Sequence, residues 1–247
     1  MWGDFLNINT VIILMFVSIV SLLGTLIGSS VGLLIKNPSK RLLGALIGFA
    51  AGIMLAVVVF DLIPECIKKW SFTSTIFTAL IGIAVIAFAD RLTSKNNFHS
   101  NKHLQIALLT AIGLMLHNFP EGIIMGCGFI VGGSLGIKMC ILIAVHDIPE
   151  GIAVAAPMVA SKIDPLKIFI YTAITALPTA FGATIGIFIG GISQSVLGTS
   201  LGLASGIMLY VVCGKMIPEA NTIWPGTTST LGILMGFLLG LAMCTVL

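Results

Sequence analysis

Residues 51–65 read AGIMLAVVVFDLIPE and residues 205–219 read SGIMLYVVCGKMIPE, identical at 9 of 15 positions and 154 residues apart. Both lie in apolar surroundings. Of 247 residues 57% are apolar and only 9% charged, and the mean hydropathy of +1.15 exceeds what a soluble core requires. A helix that crosses a bilayer needs about 20 mainly apolar residues. Cutting the chain at charges, prolines and Asn/Ser clusters leaves eight such stretches, near 10–35, 42–64, 74–90, 104–130, 134–158, 166–190, 197–218 and 228–247. The fold class is therefore all-α, a polytopic membrane protein of eight transmembrane helices.

Charge is informative here through its position. With the N-terminus outside, the inner loops hold Lys36, Lys40, Arg41, Arg91, Lys95, Lys102, Lys162 and Lys167, and the outer loops hold Lys68, Lys69 and Lys138. Cytoplasmic loops carry the excess of Lys and Arg, so this bias of eight to three predicts both termini outside and a cell (inner) membrane location. Lys215 sits within the seventh span. A net charge of +3, with no basic run interleaved with aromatics, excludes nucleic acid as a partner. The first apolar stretch is too long for a signal-peptide core and follows Asp4 rather than a basic segment, so it reads as a span. The five cysteines are odd in number, lie mostly in apolar stretches and form no C-x-x-C pair, and read as small apolar side chains.

A second pair of motifs stands between the first two. HNFPEGI at 117–123 and HDIPEGI at 146–152 match at 5 of 7 positions, 29 residues apart. In the predicted topology the second span runs outward and the seventh inward, and the fourth and fifth are likewise opposed. The spans thus form inverted repeats in a 3+2+3 arrangement. Inverted repeats are a sequence mark of secondary transporters, whose sites lie near the midplane on discontinuous helices. The whole of 1–247 reads as one transmembrane transport domain, with 91–103 as a polar intracellular loop.

His117 and Glu121 are four apart and share a helix face, as do His146 and Glu150; Asn118 and Asp147 follow each histidine. Two helices so offer His117, Asn118, Glu121, His146, Asp147 and Glu150 at one membrane depth. Ionisable groups there cost roughly 2.5 kcal/mol or more each and mark ion pathways and functional sites. With no Lys or Arg nearby on those spans, a bound cation is the natural counter-charge. Imidazole with carboxylate favours Zn²⁺, and also Cd²⁺, Fe²⁺, Mn²⁺ or Co²⁺, over Mg²⁺ and Ca²⁺. Pro120 and Pro149 lie inside these motifs and deprive the carbonyls of Leu116 and Val145 of donors. Met54 offers a softer ligand, against the plainer reading of a core methionine.

These paired motifs in an eight-span chain resemble the ZIP family of zinc and iron transporters, in the compact form of the bacterial zinc-uptake and GufA-like members, and the resemblance covers the whole chain. It implies a binuclear midplane site, with Met54, His117, Glu121, His146 and Glu150 at one metal and Asn118, Asp147, Glu121 and Glu150 at the other. Some members add a carboxylate from the sixth span; here the matching stretch, LPTAFGA, offers Thr179. The resemblance also implies alternating access and dimerisation. Asp61 and Glu65 suggest a metal entrance, against the plainer reading of solvated interfacial carboxylates. His99 and His103 suggest a loop metal site, although loop histidines are usually only solvated.

The expected function is transport of a divalent transition metal, Zn²⁺ first, into the cytoplasm, with the ion as substrate and no bond chemistry. The alternatives are an intramembrane metalloenzyme, for which H-E-x-x-H is missing and the inverted repeats go unexplained, and a metal sensor, for which no signalling domain is attached.

Overall fold

The computed structural model describes residues 8–34, 39–94, 102–131, 133–189 and 194–246; some side chains within its helices, those of His103, His117 and His146 among them, lie outside the description. The described residues form eight helices and no strand: α1 (Ile8–Leu34), α2 (Lys40–Lys69), α3 (Phe72–Ser94), α4 (Lys102–Val131), α5 (Gly133–Ala160), α6 (Pro165–Ile189), α7 (Gln194–Ile223) and α8 (Thr227–Val246). Among the described residues six of these are long and apolar enough to cross a membrane, and the apolar part of α3, Phe72–Phe88, is shorter. Helix takes up both ends of the segment expected as a loop at 91–103; His99 lies outside the described residues.

Local chemistry sets several ends. Ser39 caps α2, its hydroxyl accepting from Leu42 N–H at 3.2 Å. Asp164 does the same for α6, accepting from Leu166 N–H at 3.0 Å, with Pro165 at the first helical position where its missing N–H costs nothing.

The proline reading needs one correction. Pro64 and Pro218, expected near the ends of spans two and seven, do not end them. Each follows a five-residue π turn, Val58–Leu62 in α2 and Val212–Met216 in α7, and the helix then continues. Proline lacks an N–H and crowds the carbonyl four residues back; widening the turn takes up both defects. By contrast the α-helix runs unbroken through Pro120 and Pro149.

The two π turns are 154 residues apart, and that offset extends well beyond the quoted repeat. Trp70 N–H and Trp224 N–H cap their helices on Cys66 O and Ala220 O. A Cβ at Gly206 would overlap Ala79 O, and one at Gly52 would overlap Ile233 O, each partner again displaced by 154. The helix pairings obey the same exchange: α2 packs on α8 as α7 packs on α3, α1 on α5 as α6 on α4, and α2 on α5 as α7 on α4. Helices α1–α3 and α6–α8 are therefore structural repeats, with α4 and α5 as the central pair.

Opposite ends of the bundle are tied by opposite partners. Cys66 Sγ donates to Gly198 O at 3.0 Å, joining the end of α2 to the start of α7, so these two helices are antiparallel. Arg41 Nε donates to Thr228 Oγ1 at 3.0 Å, joining the starts of α2 and α8 at the other, basic end. In the most apolar stretch of α5 69% of residues are buried, against 17% in α8. Phe77, Phe88, Phe181 and Leu234 face outward, as a lipid-solvated surface allows. All five cysteines are unpaired thiols.

Candidate metal site

The polar residues of the middle helices lie deep inside this apolar bundle. Asn118, Glu121 and Asp147 are each 1% exposed and Glu150 2%. Glycines let the neighbouring helices approach: a Cβ at Gly122 would overlap Thr179 O on α6, and one at Gly151 would overlap Thr25 O on α1. α4 is thereby pressed onto α6 and α5 onto α1, and the side chains one turn earlier meet groups on those helices.

On the α5 side, Ser21 Oγ of α1 donates to Asp147 Oδ2 at 2.8 Å and stands 3.4 Å from Thr179 Oγ1 of α6. On the α4 side, Asn118 Nδ2 donates to Thr175 O of α6 at 2.8 Å. Asn118 and Asp147 are 29 apart and Ser21 and Thr175 are 154 apart, so the two contacts are counterparts under the repeat. Asn118 Oδ1 is buried without a hydrogen-bond partner, a cost of about 1–3 kcal/mol unless a ligand meets it. Ser21 and Thr179 are buried too, at 1% each.

Of the expected site residues, the structure brings Asp147 and Thr179 to one hydroxyl, Ser21, and seats Asn118, Glu121 and Glu150 in the interior of the two packed central helices. Met54 is fully buried on α2, which packs on α5. The side chains of His117 and His146 lie outside the described ones, as does that of His103. Among the described residues no three His, Cys, Asp or Glu side chains converge tightly enough to cage a metal. Asp61 lies in the π turn of α2 and Glu65 one turn beyond, ion-paired with Lys69 at 3.4 Å and Lys68 at 3.5 Å.

Sequence reasoning missed Ser21 and Thr175. The signal was present: hydroxyl residues at 18, 21, 25 and 30 in α1 recur at 172, 175, 179 and 184 in α6 at the same offset as the quoted repeat.

Chemically, the interior presents carboxylate and amide oxygens with hydroxyls that orient them, in a layer where an uncompensated anion is expensive. Such a donor set suits a divalent cation.

A family model described as ZIP zinc transporter matches residues 91–244, more than half of the chain. The zinc transporter ZupT of Streptococcus mutans is 30% identical over 239 residues, covering 88% of this chain and 90% of that protein. The zinc transporter ZupT of Escherichia coli is 28% identical, covering 86% of this chain and 88% of its own length. That of Corynebacterium aurimucosum is 26% identical, covering 87% and 89%. With the family matched across the carboxylate-bearing helices and a relative aligned over nearly the whole length, the chain belongs to the ZIP zinc transporters, a family of membrane carriers and not of enzymes.

Proposed function

We propose that this chain carries Zn²⁺ across the membrane through the midplane residues of α4 and α5. The observation that carries the reading is the burial of Glu121, Asp147 and Glu150, at most 2% exposed, within a lipid-solvated bundle that gives them a divalent cation's ligand chemistry. His117, Glu121, His146 and Glu150 bind the ion, with Met54 as a softer neighbour; Asn118 and Asp147, with Thr179 alongside through Ser21, form the second position. Cd²⁺, Fe²⁺, Mn²⁺ and Co²⁺ are competing substrates, because imidazole and carboxylate discriminate weakly among them. Asp61 and Glu65 collect the ion at the entrance.

The ion enters from the side of Glu65 and leaves at the basic end, which faces the cytoplasm. Release requires the two repeat halves to exchange roles, as alternating access does in other inverted-repeat carriers. The test is zinc uptake by purified protein in liposomes. Glu121→Ala and Glu150→Ala should each lower flux at least tenfold while the thermal unfolding profile stays that of a folded protein. Undiminished flux in both variants refutes the site.

A further inference from the structure

An ion pair between two spans lies outside the transport site. Lys215 lies in the π turn of α7, and its Nζ is 2.7 Å from Asp90 Oδ1 on α3; Tyr210 OH, one turn earlier on α7, donates to Asp90 Oδ2 at 2.7 Å. Both carboxylate oxygens are thus taken by α7. The three polar groups face a cleft whose third wall is α4, through Ile112, Gly113 and Leu116. Leu116 directly precedes His117, and Asp90 directly precedes Arg91 at the basic end, so the cleft lies between the proposed metal site and that end of the bundle.

The Asp61 position of α2 is the repeat counterpart of Lys215, 154 residues earlier. Where one half of the molecule carries a carboxylate in its π turn, the other carries an ammonium. Because Pro218 forces the widened turn, Lys215 sits at a helix position that is fixed by backbone chemistry.

We infer that Lys215 is a resident counter-cation for Asp90, which keeps the inner cleft electrically neutral so that an outgoing Zn²⁺ is neither trapped by the carboxylate nor repelled by the ammonium. This rests on the transport reading above. A carboxylate in a low-dielectric cleft holds a divalent ion strongly, and a site that binds too tightly cannot release. Lys215 occupies that carboxylate, and Tyr210 fixes its orientation through the second oxygen. A lysine alone would raise a barrier to any cation approaching from Leu116; Asp90 removes it.

The two partners therefore have opposite single-variant signatures. In liposomes, Lys215→Met should lower the zinc KM about three- to tenfold and lower the maximal rate, because an uncompensated anion retains the ion. Asp90→Asn should raise KM by a similar factor. The double variant, neutral again, should return KM to near the parent value. An ion pair that only braced α3 against α7 would shift both singles in the same direction or leave KM alone, and either result overturns the inference.

Gly113 supplies a second route if the single variants fail to fold. Among the described residues a Cβ there meets Val211 methyls at the ordinary distances of 3.6 and 3.7 Å, and Gly113 lines the cleft, so a charge placed here reaches the pair without replacing either partner. Gly113→Asp should act as Lys215→Met does and Gly113→Lys as Asp90→Asn does; equal KM values in these two variants overturn the inference. Glu121→Ala runs in parallel. If the parent itself carries no zinc, the transport reading fails; if the parent carries zinc and Glu121→Ala does not, but the charge variants keep the parent KM, only the role of Lys215 fails.

Discussion

Asp147 and Asn118 occupy matching places on α5 and α4, yet the neighbouring helices treat them differently: the Ser21 hydroxyl donates to Asp147, while the Thr175 backbone carbonyl accepts a hydrogen bond from the Asn118 amide. A hydrogen bond to a charged group contributes about 1.5–3 kcal/mol, enough to hold a carboxylate at one angle in the absence of metal. Ser21→Ala should therefore leave the protein folded, because one oxygen is removed from a buried position, and should raise the zinc KM roughly three- to tenfold through loss of that bond. Liposome uptake kinetics check this, and an unchanged KM would mean that Asp147 is held by its other contacts. Ser21 was not legible because a helical serine usually bonds its own backbone, as Ser18 does to Leu14 O at 2.7 Å. Only the placement of α1 against α5 shows that Ser21 turns to Asp147 instead. The carboxylates were legible because a charge in an apolar run has no ordinary use.

At the level of the helices, the spans could be read from length and apolarity, whereas the far ends of α2 and α7 could not. Proline is a stop signal only if the helix cannot widen, and sequence does not say whether it can. The π turns at Val58–Leu62 and Val212–Met216 carry both helices on to Lys69 and Ile223. The repeat was legible at its most similar stretch, and its full reach appears only in the packing, where Gly206 lies on Ala79 and Gly52 on Ile233. Gly206→Leu should cost about 1–3 kcal/mol through overpacking against backbone that cannot give, and Gly52→Leu a similar amount at the α2–α8 contact. Gly113→Ala is the contrast, since among the described residues its Cβ meets the Val211 methyls at ordinary distance and removing a helical glycine gains about 0.5–1 kcal/mol. Thermal unfolding in detergent should give lowered midpoints for the first two and none for the third; a drop of similar size in all three would remove the close-packing argument.

For the molecule as a whole, direction is the property that neither burial nor the repeat decides, because an inverted repeat looks alike from both sides. Charge breaks the symmetry. Lys40 and Arg41 lie at the end where α2 and α8 begin, joined by the Arg41–Thr228 bond, and the alternation of successive spans brings Arg91, Lys162 and Lys167 to the same end, whereas Lys68 and Lys69 lie where α2 ends. Cytoplasmic retention of Lys and Arg near span ends should then orient the chain with the Arg41 end inside. In a variant whose five native cysteines are replaced by alanine, Ser39→Cys and Lys162→Cys should react with a membrane-impermeant maleimide only after the cells are opened, and Lys68→Cys in intact cells. The reverse labelling would invert the proposed direction of travel, putting the Glu65–Lys69 end inside and the Asp90–Lys215 cleft at the entrance, while leaving the ligand set of α4 and α5 untouched. The labelling therefore tests orientation independently of the metal site, and the flux of Glu121→Ala tests the site independently of orientation.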